Sequence, residues 1–168
     1  QALNGLAPHL PEGMLPEALA AAQAMRDEYS RVEALNKLAP HLPEGLLGDA
    51  LALAQQIQYE LLRAQALSGM APYLPESLLG QALSSARDLK DNEFRVQALT
   101  GLAHHLPEYQ QVIVVHEALA LTREIHDEAD QAYLLSVLAP HLPEGLGAKA
   151  EQEALATARK ITNEIWRG

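Results

Sequence analysis

The sequence predicts an all-α protein, a right-handed α-solenoid of five helix–turn–helix repeats and ten helices. Three observations predict it. The octet LAPHLPEG stands at residues 6–13, 38–45 and 138–145, with near copies MAPYLPES at 70–77 and LAHHLPEY at 102–109. The proline of each Leu-Pro-Glu (Pro11, Pro43, Pro75, Pro107, Pro143) recurs after 32, 32, 32 and 36 residues, a period of stacked helical hairpins. Between these markers the apolar residues keep helical spacing. Ala18, Leu19, Ala22 and Met25 recur as Ala50, Leu51, Ala54 and Ile57, then as Ala82, Leu83, Ala86 and Leu89. Positions i, i+1, i+4 and i+7 form one face of an α-helix.

The elements follow in order. The predicted units are 1–32, 33–64, 65–96, 97–132 and 133–168, of 32, 32, 32, 36 and 36 residues in one repeat domain. Each first helix carries Leu3, Leu35, Leu67, Leu99 or Leu135, followed three residues on by Leu6, Leu38, Met70, Leu102 or Leu138. It is expected to end near the Ala-Pro pair, because proline disfavours helical geometry in the residue before it. The second helix is expected to begin at the proline of Leu-Pro-Glu, which suits the first helical position, with the glutamate near the positive end of the dipole. Asp27, Asp91 and Asp127 are placed to cap the next unit, with Tyr59 and Asn163 at that position in the others. The four extra residues of units four and five are close to one helical turn, so a one-turn extension leaves the downstream face in register. Both ends fall inside a first helix, which is the pattern of a piece cut from a longer array.

Composition narrows the function. No cysteine is present, which excludes disulfides, thiolate metal sites and cysteine nucleophiles. There is no apolar run long enough for a bilayer and no signal-peptide pattern, so a cytoplasmic location without membrane contact is expected. Twelve basic residues against 22 acidic ones, a net charge of −10, make a phosphate backbone an unlikely partner.

The unit resembles the tetratricopeptide-like α-solenoids along its whole length, although the Trp, Gly and Tyr of that pattern are not supplied by Ala-Leu-x-x-Leu-Ala. Its phrases LAPHLPEGLL and ALALA are similar to the Ala/Leu-rich repeats of large bacterial multidomain signalling proteins, where they accompany NACHT-type NTPases. The resemblance implies a sensor or scaffold arm and carries over no functional residue.

Several rows recur at one position per unit. Asn4, Asn36, Ser68, Thr100 and Ser136 are short, polar and uncharged, and beside them stand Gly5, Lys37, Gly69, Gly101 and Val137. A helical glycine costs about 1 kcal/mol against alanine, so this row marks either close helix approach or the floor of a groove. Gln1, Glu33, Gln65, Gln97 and Tyr133 would then form the groove's wall. Arg31, Arg63, Arg95 and Arg167, interrupted by Gln131, either clamp carboxylates of a bound peptide or pair within the helix, as Asp27–Arg31 and Asp91–Arg95 at i, i+4. His9, His41, His105 and His141, with Tyr73, share one position. Helices pack 8–10 Å apart, too far for equivalent positions to chelate one ion with bonds of about 2.1 Å. Val112-Ile113-Val114-Val115 either packs on the extension of unit five, around Ala148 and Ala150, or projects as an apolar contact.

No phosphate loop, nucleophile elbow or His-Glu-x-x-His is present. No enzyme activity, cofactor or metal is expected. The expected function is a scaffold or sensor binding a protein or peptide. The alternatives are an RNA reader, since helical repeats read one base per unit, and a structural spacer that self-associates end to end.

Overall fold

The computed structural model describes residues 10–142 and 144–165, the side chains of residues 144 and 161–165 excepted. Among the described residues there are nine α-helices and no strand. Four are first helices of a unit: α2 (Glu28–Leu38), α4 (Glu60–Met70), α6 (Asn92–Ala103) and α8 (Glu128–Leu138). Five are second helices: α1 (Leu15–Gln23), α3 (Glu44–Gln55), α5 (Glu76–Arg87), α7 (Glu108–Arg123) and α9 (Glu144–Ile165). The tenth expected helix falls on residues 1–9, outside the described residues, as do Asn4, Gln1, Gly5, His9, Pro143 and Arg167.

Each helix packs against the next in the chain, and the first helices also pack directly on one another: α2 on α4, α4 on α6, α6 on α8. Small residues allow this approach. Ala34, Ala66 and Ala98 are buried to 1%, 0% and 0% exposure beside Leu35, Leu67 and Leu99 at 0%. The predicted face of the second helices is buried as well: Ala50, Leu51, Ala54 and Ile57 in α3, Ala82, Leu83, Ala86 and Leu89 in α5. In α7 the same face is Ala118, Leu119 and Thr122, whose hydroxyl donates to the Ala118 carbonyl at 2.8 Å and so is satisfied without a partner helix. Leu155 departs from the row: its counterparts Leu19, Leu51, Leu83 and Leu119 are buried, and it is 58% exposed.

The punctuation differs from expectation in two ways. The proline of Leu-Pro-Glu precedes the helix instead of opening it. Pro43 and Pro75 have ψ of 154° and 158°, extended geometry, and the helices start at Glu44 and Glu76. The proline carbonyl still accepts the first-turn bond, from Leu46 N–H and Leu78 N–H at 2.9 Å. Its missing N–H is immaterial at a cap, and the glutamate takes the first-turn place beside the dipole. The Ala-Pro pair, in turn, does not end the helix in extended geometry. Ala39, with φ −47° and ψ −44°, is helical, and the chain tightens into a 3₁₀ turn over Ala39–His41, as it does over Ala71–Tyr73 and Ala139–His141. The proline ring is tolerated at the second position of that turn, because the ladder resumes when Leu42 N–H reaches the carbonyls of Leu38 and Ala39 at 3.1 and 3.4 Å. Unit four has His104 where the others have Pro40, Pro72 and Pro140, and there α6 runs on to Ala103.

The three aspartate caps and the insertion follow the expected pattern, but Asn163, expected at the same cap position, lies inside α9, which runs on to Ile165 without a turn. Asp27 accepts from Ser30 N–H, Asp91 from Glu93 N–H, and Asp127 from the N–H groups of Ala129 and Asp130. Helix α7 has 16 residues against 12 in α3 and α5, the one-turn extension. Its run of β-branched residues divides: Val114 and Val115 are 1% exposed, whereas Val112 and Ile113 are 45% and 59% exposed. Ala150 is buried and Ala148 exposed on α9.

Candidate functional site

The glycines of the first helices are not an open floor. A Cβ built on Gly101 would lie 2.5 Å from Ser68 Oγ and 3.3 Å from Ser68 Cα, and one on Gly69 would collide with the side chain of Asn36. The small polar residue of one unit therefore sits on the glycine of the next, and this contact sets the spacing of α2, α4 and α6. Asn36 and Ser68 are half-buried by it, with Asn36 Oδ1 left without a hydrogen-bond partner. Thr100 is 6% exposed and donates to the Val96 carbonyl at 2.7 Å. Ser136 alone of the described row is exposed, its hydroxyl donating to the Tyr133 carbonyl at 2.6 Å.

The wall row is more open. Gln65 is exposed, Gln97 half-buried with its amide donating to Glu93 at 3.2 Å, and Tyr133 61% exposed. Gln97 and Tyr133 both line a groove of about 360 Å³ between α6 and α8. Ser68, Thr100, Gly101 and His104 line it with Val137 of α8 and His141. Tyr133 and Ser136 also line a second hollow of about 510 Å³ between α8 and α9, shared with Leu155. The structure thus gathers Ser68, Gln97, Thr100, Tyr133 and Ser136 around α6 and α8. It leaves Asn36 and Gln65 outside these two hollows.

The arginine ladder has an internal task, and the expected pairs with Asp27 and Asp91 are not formed. Arg31 donates to the Met25 carbonyl and Arg95 to the Leu89 carbonyl, through Nε at 2.7 Å and through Nη2. These carbonyls lie just past the ends of α1 and α5, where the helix ladder leaves acceptors unsatisfied. Gln131 does the same at the end of α7, its amide 3.3 Å from the carbonyls of Thr122, Arg123 and Ile125. Asp27 and Asp91 are already engaged as caps, so the i, i+4 geometry loses to two local demands. Arg63 meets Glu60 at 3.5 Å, and its Nε is buried without a partner.

Two further ladders were missed from the sequence. The Glu28 carboxylate accepts the backbone N–H groups of Gln58 and Tyr59 at 2.8 and 3.0 Å, in the turn of the following unit. Glu60 repeats this with Lys90 at 3.1 Å and Asp91 at 3.0 Å. These backbone bonds hold both carboxyls below the usual glutamate range. Between second helices Arg87 pairs with Glu117 at 2.7 Å and Arg123 with Glu153 at 3.1 Å. The signal in the sequence was opposite charges 30 residues apart, legible only once the unit rotation is known. At the α6–α8 junction Glu93 is half-buried, and burial, then Asp130, Asp91 and Asp127, push its carboxyl upward.

The histidines pair out of register. His104 Nε2 lies 2.9 Å from Nδ1 and 3.2 Å from Nε2 of His141, the rings being near perpendicular at 85°. His104 Nδ1 is 2.9 Å from the Thr100 carbonyl. Burial first, then the charge of His104, holds both His105 and His141 below the ordinary histidine value. The distance bar between equivalent positions does not apply, because His104 and His141 occupy different places in their units. Among the described residues no three His, Asp or Glu side chains form a metal-ligand group, and no helix is long and apolar enough to cross a membrane. No protein-family model, curated protein or solved structure matches this chain.

Proposed function

We propose that the chain is a binding scaffold, an α-solenoid of tetratricopeptide-like hairpins that holds a protein or peptide segment on its first-helix surface. In this reading it is the sensor or scaffold arm of a larger cytoplasmic signalling protein of bacterial type, and it has no catalytic task. One observation carries it: Tyr133, 61% exposed, and Val137, 37% exposed, stand beside the groove between α6 and α8. An exposed aromatic beside a mainly apolar hollow with a few polar groups is the composition of a binding anchor. Gln97 offers an amide to a bound backbone, and no ammonium or guanidinium group stands among the described residues that line this groove, which favours an uncharged or aromatic segment over a phosphate chain. The arginines, engaged at helix ends, serve the frame.

The test is peptide display against the folded chain, followed by affinity measurement of the enriched sequences. Peptides that share a hydrophobic anchor and bind at least tenfold more weakly to Tyr133→Ser and Gln97→Ala support the proposal. Enriched peptides that bind both variants as tightly as the parent chain, or a selection that enriches nothing, overturn it.

A further inference from the structure

We propose that α9 is a self-association surface, through which two copies of this chain pair in an antiparallel α9–α9 contact centred on Leu155. The contact is side by side, and it stands whether or not the α6–α8 groove holds a peptide.

The position of Leu155 comes first. Helices α1, α3, α5 and α7 each pack on the first helix that follows them. Their leucines at this repeat position, Leu19, Leu51, Leu83 and Leu119, are buried. Helices α5 and α7 end at Arg87 and Arg123. The equivalent residue of α9 is Arg159, and the helix runs on past it to Ile165, leaving Leu155 58% exposed. Beside Leu155 lies the hollow of about 510 Å³, lined by Ala132 and Tyr133 of α8 and by Ala154 and Ala158 of α9. The alanines leave room for an apolar side chain from outside. A second copy on this face would extend the contact that already joins successive units.

The charges around Leu155 say what the second body is. Arg87 and Arg123 each pair with a glutamate of the next second helix, Glu117 and Glu153. Arg159 is the next rung of that ladder, exposed, and it forms no ion pair among the described residues. Glu151, four residues before Leu155 as Arg159 is four after it, is likewise exposed and forms none. Residues four apart make a ridge, and such ridges lie alongside each other when two helices cross at about −50°. The ridge Glu151–Leu155–Arg159 is complementary to itself. In a second copy running antiparallel about a two-fold axis beside Leu155, Arg159 comes level with Glu151 of the first, and Glu151 with its Arg159. A two-fold contact uses one patch twice, so two leucines meet at the centre with an ion pair on either side. A parallel pair would set like charges together, which costs free energy. Two chains of net charge −10 repel, and a contact between them needs a patch without net negative charge. This ridge, with one acid and one base, is such a patch.

The experiment is sedimentation equilibrium of the untagged chain over about 5–500 µM at physiological salt. A monomer–dimer equilibrium with Kd in the tens of micromolar is expected, as for a small contact. Leu155→Glu should keep the parent's helical circular dichroism and unfolding midpoint and weaken pairing at least tenfold. Glu151→Arg and Arg159→Glu should each weaken it at least tenfold by facing like charges. The double variant, Glu151→Arg with Arg159→Glu, should restore the dimer, and so should an equimolar mixture of the two single variants. Lys149→Glu changes the net charge as Arg159→Glu does, lies off the ridge, and should leave the dimer unchanged. A chain that stays monomeric over the whole range overturns the proposal. So does a dimer that Leu155→Glu or the single charge variants leave intact, or a double variant that does not recover what the single ones lose.

Discussion

Ser68 lies on Gly101 so closely that a side-chain carbon on the glycine would stand 2.6 Å from Ser68 Cβ. The backbone of α4 is only slightly farther, so the serine has little room to retreat, and the contact repeats one unit earlier as Asn36 on Gly69. A helical glycine that looks costly in isolation is therefore what lets three successive first helices stack.

The same substitution should have opposite signs at two glycines. Gly80, within α5, has nothing within 4 Å of an added Cβ, so Gly80→Ala should stabilise the chain by about 0.5–1 kcal/mol through helix propensity. Gly101→Ala gains the same propensity and loses about 1–3 kcal/mol to overpacking, for a net destabilisation. Urea unfolding of the two variants decides it. Equal effects would show that the close approach at Gly101 does not limit packing.

Glu60 caps a turn that belongs to the next unit. Glu60→Ala leaves the N–H groups of Lys90 and Asp91 without their acceptor and should cost about 1 kcal/mol, the worth of a helix cap. Hydrogen exchange should rise at Lys90 and Asp91 in this variant and remain unchanged at Gln58 and Tyr59, which Glu28 still holds.

Arg95 should be replaceable by glutamine better than by methionine. Its task at the Leu89 carbonyl is the one Gln131 performs at the end of α7. Arg95→Met removes a charge-assisted hydrogen bond of about 1.5–3 kcal/mol, and Arg95→Gln should recover roughly half. Thermal unfolding compares them. A glutamine variant as unstable as the methionine one would mean that the guanidinium acts by charge and not by donation.

Acid should weaken the fold first through histidine. His105 and His141 have folded values below 6.5, so the unfolded chain takes up their protons at higher pH than the folded one. Their contribution is complete above 6.5 and is lost as pH falls through the depressed folded values. Asp27, Glu28 and Glu60, lowered from 3.8, 4.5 and 4.5, act in the same sense in a lower window. The denaturation midpoint should thus fall between pH 7.5 and 5.5. A double variant, His105→Asn with His141→Asn, should show a flatter profile over that range.

Much of the frame was legible because it rests on local rules. Ala50, Leu51, Ala54 and Ile57 announce a helix face by their spacing, and Asp27, Asp91 and Asp127 announce caps by standing before one. The polar rows were harder. Ser68, Thr100 and Ser136 share one repeat position, yet the first is half-buried against a glycine, the second buried and the third exposed. Repeat position labels them alike, and the neighbour they meet differs: Gly101 beside Ser68, Val137 near Thr100. The i, i+4 rule offers aspartate as one of two partners for the arginines, beside a bound peptide, because that rule sees one helix at a time. The competing acceptors, carbonyls past the end of the preceding helix, become visible only when the turn between units is folded.

By itself, the sequence determined the all-α class, the hairpin period, most of the helix boundaries to within a residue or two, and most of the apolar faces, since each follows from spacing along a single chain; α1, which starts at Leu15, and α9, which runs past Asn163, are the exceptions among the boundaries. The tertiary structure decided which side chains meet across units: Asn36 on Gly69, Glu28 with Tyr59, Arg87 with Glu117, and His104 with His141. These contacts join residues 30 to 37 apart. The rotation and separation of adjacent hairpins select among them, and those are set by the packing of the whole apolar core, a quantity no local pattern contains.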